Sequence, residues 1–243
     1  MKSSVSRAVM AASVTVALGL TAACGSDKGD GGDSGAGGAK ASQKPAAENA
    51  GAKKPAVLTT ADLEKAALTE GDLKGYKVEK MSAADMPSQT VPADPAACQP
   101  LADMFMFASR PAAEARIGRT MTGPDELDAT VISFALLAHE QAGAEKVMAG
   151  LRTATKKCTA YEHADSKYRD VAALPAPKAG DDAVSYKVVG LIEGQKTPMS
   201  FTVVRSGSTV AAFYSINLLK PKKFGVPTEI VEAQVKKLEK APK

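Results

Sequence analysis

Hydrophobic positions divide this chain into three stretches. Residues 8–20, AVMAASVTVALGL, are an uncharged and mostly apolar run behind Lys2 and Arg7. Residues 25–56 hold glycine, alanine, serine, lysine, aspartate and proline, and no large aliphatic side chain. From Val57 onward the apolar positions recur with the periods of helices and strands. Thr59 or Thr60 is a capping residue ahead of Leu63, Ala66 and Ala67 on one helical face. GYKVEKM, 75–81, predicts a strand, and 82–93 a loop. Asp94 is read as an N-cap and Pro95 as the first residue of a helix carrying Cys98, Leu101 and Phe105 on one face. ARIGRTMTG and DATVISFALLA predict two strands joined near Gly123-Pro124. The stretch 140–158 predicts a helix with Val147, Leu151 and Ala154 on one face and lysines in its last turn. One or two short strands are expected in 159–173, and a long one over 183–193. PMSFTVVRSGSTVAAFYSINL reads as a hairpin, with Gly207 free to take a positive φ in the turn. PTEIVEAQVKKLEK closes the chain as an amphipathic helix through Ile230, Val231, Ala233, Gln234, Val235 and Leu238. Hairpin-linked strands with helices between them predict one α+β domain over 57–243.

The first two stretches point to export. A basic start, a short apolar run and the small residues Thr21, Ala22 and Ala23 form a secretory signal over 1–23. LTAAC resembles a bacterial lipobox, whose cysteine is diacylated and becomes the mature N-terminus. That makes Cys24 a lipidation site, palmitate being one such acyl chain, and the membrane its partner. The fit is imperfect: Thr21 stands where a lipobox usually has Leu, and Leu20 lies one residue earlier. Cleavage by an ordinary signal peptidase, giving a secreted protein, is the alternative. Residues 24–56 bury too little apolar surface to order themselves and read as a flexible tether. Asp27, Asp30 and Asp33 within it are explained by solubility rather than calcium binding.

Composition excludes some functions. The net charge of +4 is too small for a nucleic-acid protein. Without tryptophan and with 5% aromatics, stacking platforms are not expected. Three cysteines are an odd count for an exported chain. With Cys24 taken by lipid, Cys98 and Cys158 are expected to form a structural disulfide in an oxidising compartment. A redox or metal site is the alternative, but no CxxC or close cysteine–histidine cluster supports it.

The order of LTTADLEKAALTEGDLKGYKVEK, PAACQPLADMF, the Cys98–Cys158 spacing and SFTVVRSGSTVAAFYSINL before a final helix resembles the PknH-like extracellular sensor domains of actinobacteria, over about residues 57–240. That resemblance implies a curved antiparallel sheet flanked by helices, with a cleft for an unknown ligand. The family domain carries a second disulfide, which the cysteines here do not allow. No ligand-binding residues transfer.

No catalytic constellation emerges. His139 is expected to face solvent at a strand-to-helix boundary, and His163 follows Cys158 in a polar stretch. GxSxG, HExxH and phosphate-binding glycine loops are absent. Asp181-Asp182 and Asp125-Glu126-Asp128 read as solvated turns. The basic runs 220–223 and 236–240 are solvated surface or a contact for anionic lipid heads. Met104, Phe105, Met106 and Phe107 are core, or line an apolar cleft. The chain thus reads as a cell-envelope lipoprotein without cofactor, metal or catalysis. Its domain binds a small-molecule, lipid or glycan ligand or an envelope protein. A scaffolding lipoprotein is the alternative, and a cell-wall hydrolase a distant third.

Overall fold

Alternation along two strands sets the architecture. In β4 (Thr130–Ala138), Ile132, Phe134, Leu136 and Ala138 face one side and Ala135 and Leu137 the other. Its neighbour β9 (Thr209–Asn217) sends Ala211 and Phe213 one way and Val210 and Ala212 the other. Both faces are apolar because both are covered, so these strands read as nearly continuous hydrophobic runs. Fully burying a side chain such as Phe134 contributes about 1.5–3 kcal/mol.

The computed structural model describes residues 57–241, except 88, 126, 127, 193, 221 and 223. The expected signal segment, Cys24 and the 24–56 tether lie outside the described residues. The remaining strands are β1 (Lys77–Lys80), β2 (Ala93–Asp94), β3 (Ala115–Thr122), β5 (Tyr161–His163), β6 (Ser166–Leu174), β7 (Asp182–Ile192) and β8 (Gln195–Ser206). They form one open antiparallel sheet in the order β1-β3-β4-β9-β8-β7-β6-β5-β2. The fold is α+β. Helices α2 (Gln99–Phe105) and α3 (Gln141–Lys157) pack on one face, and α1 (Thr60–Ala66) and α4 (Thr228–Leu238) on the other.

Local chemistry explains the elements. Thr59 caps α1 in a capping box with Asp62. The β8–β9 turn places Gly207 at φ +59°, and Asp181 fixes that turn by accepting from the Gly207 amide at 2.7 Å. Buried Arg119 on β3 pairs with Glu64 of α1 at 2.9 Å. A disulfide joins Cys98 to Cys158, with 5.5 Å between their Cα atoms, so the approach to α2 is bonded to the end of α3.

One element differs from expectation. Asp94 is not an N-cap and Pro95 does not open an α-helix. Ala93 and Asp94 are extended and pair with His163 and Glu162 of β5. Pro95 precedes a 3-10 turn, Ala96–Cys98, and α2 begins only at Gln99, with Pro100 in its first turn. A residue before proline is biased toward extended backbone, and the Gln99 side chain holds Ala93 there by accepting its amide at 2.8 Å.

Candidate functional site

The face bearing α2 and α3 is finished by two irregular segments, 81–92 and 106–114, which meet over β3 and β9. On this face β3 presents Arg116 and then Gly118. The Met81 and Met86 side chains lie across Gly118. A Cβ there would stand 2.8 Å from the Met81 sulfur and 2.6 Å from that of Met86. Arg116 binds the two segments together: Nη1 donates to the Phe107 carbonyl at 3.1 Å, and Nη2 to those of Met86 and Pro87 at 2.7 Å each. Burial lowers the pKa of its guanidinium. The Phe105 and Phe107 rings stack on Tyr214 of β9, with centroids 5.5 and 5.4 Å away. Met81, Met86, Phe105, Tyr214 and Ile216 are only partly buried where they pack against the core on this face. Thioether and aromatic groups of this kind suit ligands of variable shape, because methionine repacks at low cost.

A polar cluster sits on the other side of α2. Gln99 Nε2 donates to the Val91 carbonyl at 3.0 Å and to Asp103 Oδ1 at 2.7 Å. Asp103 Oδ2 faces Arg110 Nε at 3.3 Å, and Arg110 Nη2 donates to Thr90 Oγ1 at 2.8 Å. Asp103 is only 2% exposed. Burial raises its pKa against the opposing pull of Gln99, Arg110 and His163. His163 is also buried, and neither ring nitrogen makes a well-formed hydrogen bond. Burial lowers its pKa, while Asp103 and the Val91 carbonyl act in the opposite sense. Two hollows flank this region. One, of about 60 Å³, lies among Asp103, Met104, Val147 and Leu151. The other, of about 170 Å³, lies among Thr90, Phe107, Ser109, Arg116 and Leu137.

His139 does not face solvent as expected: it is 1% exposed. Its amide donates to the Ser208 carbonyl at 3.0 Å, extending the β4–β9 ladder, and its Nε2 lies 3.4 Å from Ser109 Oγ in the segment above. Its pKa is lowered by burial. The Met–Phe run divides between roles: Met104 and Phe107 are core, whereas Phe105 and Met106 are half-buried. Asp181, Asp182 and Asp128 serve turns and strand ends. Asp182 pairs with Arg152, and Asp128 accepts from Thr130 and Asn217 at 2.7 and 2.9 Å. Lys237 pairs with Asp72 at 2.5 Å, while Lys220, Lys222, Lys236 and Lys240 are exposed. Cys98 and Cys158 are bonded to each other and belong to the core. Among the described residues no His, Cys, Asp and Glu group is placed to hold a metal ion, and no helix is long and apolar enough to cross a membrane.

Arg116, Gly118, Gln99 and Asp103 were not singled out from sequence. For the first two a signal exists: ARIGRTMTG alternates, so Arg116 and Gly118 share a face with each other rather than with Ile117 and Met121. A charged residue and a glycine on one face of a strand mark a place where something other than a core side chain approaches.

No protein-family model matches the chain, and no curated protein is similar to it. Solved structures are, two mycobacterial ones among them. The extracellular domain of PknH from Mycobacterium tuberculosis aligns with 76% of this chain and 97% of its own length, at 12% identity and a TM-score of 0.46. An uncharacterised protein from Mycobacterium smegmatis aligns with 68% of this chain and 90% of its own, at 11% identity and a TM-score of 0.39.

Proposed function

We propose that the chain is an extracytoplasmic lipoprotein, held at the membrane through lipidated Cys24 and the 24–56 tether, whose domain is a non-catalytic, sensor-like ligand-binding module. The observation that carries this reading is the partly exposed methionine–aromatic surface over β3 and β9, framed by two segments that Arg116 holds together. Adaptable apolar walls with a few fixed polar groups are what a small-ligand site requires. The Ser109–His139 pair does not favour hydrolysis: both side chains are buried, and their 3.4 Å separation is long for a nucleophile and its base. A thermal-shift screen of the full chain against envelope lipids and glycans tests the reading. At least one compound should raise the midpoint, and Gly118→Leu, which displaces the Met81 and Met86 side chains that cover it, should abolish that rise. A wild-type protein that responds to nothing, or a variant that responds equally, would contradict it.

The scaffolding alternative draws on one observation. Leu218 and Leu219 are 66% and 74% exposed beside Lys220 and Lys222. Under that reading, serine at both leucines changes the chain's cross-linking partners in whole cells and leaves any ligand-induced shift intact.

A further inference from the structure

We propose that the hollow of about 170 Å³ beside Arg116 binds a small monocarboxylate with a short apolar body. This rests on the ligand-binding reading and assigns its ligand a class. Arg116 is the key group. Arg110, Arg119, Arg152 and Arg205 each lie against a carboxylate, whereas among the described residues no carboxylate pairs with Arg116 or with the exposed Arg169. Three carbonyls take the Phe107-directed Nη1 proton and both Nη2 protons. A guanidinium has five N–H donors, so Nε–H and the second Nη1–H are left uncommitted among the described residues. A part-buried cation held only by carbonyl dipoles has no protein counter-charge, and an anion in the adjoining hollow supplies one.

The rest of the lining selects the kind of anion. Thr90 accepts from Arg110, which leaves its own hydroxyl proton to donate. Ser109 contributes a second hydroxyl. Phe107, Ala112, Ala113 and Leu137 make the remaining wall apolar and leave room for only a short body. One guanidinium matches one negative charge, and its planar fork fits the two oxygens of a carboxylate. A phosphate dianion is disfavoured, since Asp103 lies on the far side of Ser109, where the two hollows adjoin.

Calorimetric titration of the full chain with butyrate and benzoate, against butyramide, benzamide and inorganic phosphate at constant ionic strength, tests this. The acids should bind at least about tenfold more tightly than their amides and than phosphate. Arg116→Gln should abolish that preference. Because it also releases the two segments, Thr90→Val and Ser109→Ala serve as a second test. Each keeps the Arg116 contacts and should weaken the acids several-fold. Amides or phosphate binding as well as the acids, or unchanged acid affinity in Arg116→Gln, would overturn the proposal. If lipids or glycans shift the wild-type midpoint but the acids do not bind, the carboxylate class fails and the ligand-binding reading stands. If neither acids nor envelope compounds act, both fail.

Discussion

Arg116 and Gly118 are neighbours on one face of β3, and each has a consequence at the scale of a single side chain. A methyl group at Gly118 displaces two flexible thioethers rather than backbone, so Gly118→Ala should cost only about 1 kcal/mol in chemical denaturation, at the low end for overpacking. His139 makes stability depend on pH. Burial lowers its folded pKa, while in the unfolded chain the imidazole takes up a proton near pH 6.5. The unfolded state therefore binds more protons below that pH, and stability falls as pH drops from about 6.5 toward the depressed folded value. His163 acts in the same direction. Asp103, raised by burial, acts in the opposite one: its contribution grows as pH falls from its raised value toward 3.8. Urea midpoints should thus decrease between pH 7.5 and 5.5, and His139→Gln should flatten the decrease. An unchanged wild-type midpoint would contradict this.

At the scale of elements, one side chain ties α1 to α4. Gln234, fully buried, accepts from the Leu68 amide at 2.8 Å and donates to the Ala66 carbonyl at 2.7 Å. These are backbone groups at the end of α1, left without helical partners. Gln234→Ala strands both in a dry interface and should cost about 2–4 kcal/mol, measurable as a lower denaturation midpoint at unchanged slope. Elements whose apolar period is long and unambiguous were legible in the sequence: α3, α4, and the β8–β9 hairpin with its turn at Gly207. The approach to α2 was not. Asp94-Pro95 is a strong local helix-start signal, and pairing with β5 from seventy residues along the chain overrides it. Gln234 was legible as part of an amphipathic face but not as a hydrogen-bonding group, because its partners lie 166 and 168 residues away. The polar residues of the site share that difficulty. Gln99 and Asp103 lie on one helical face by spacing, but their burial depends on the 81–92 and 106–114 segments, which have no periodicity to read.

At the scale of the molecule, one covalent bond spans the face that carries the site. The disulfide closes a loop with a sequence separation of 60, for which chain entropy gives roughly 4 kcal/mol. Replacing both cysteines with alanine should lower stability by about 2–4 kcal/mol, and non-reducing peptide mapping should recover Cys98 joined to Cys158. That bond suits an oxidising compartment, as the proposed export requires. The central claim is that this domain is held outside the cell by Cys24. It is tested most directly by mass spectrometry of the protein purified from membranes of cells that export it. The account predicts a mature chain that begins at Cys24, carries a diacylglyceryl group on that residue and keeps the Cys98–Cys158 bond. A chain that begins elsewhere, or an unmodified Cys24 in a freely soluble product, would contradict it.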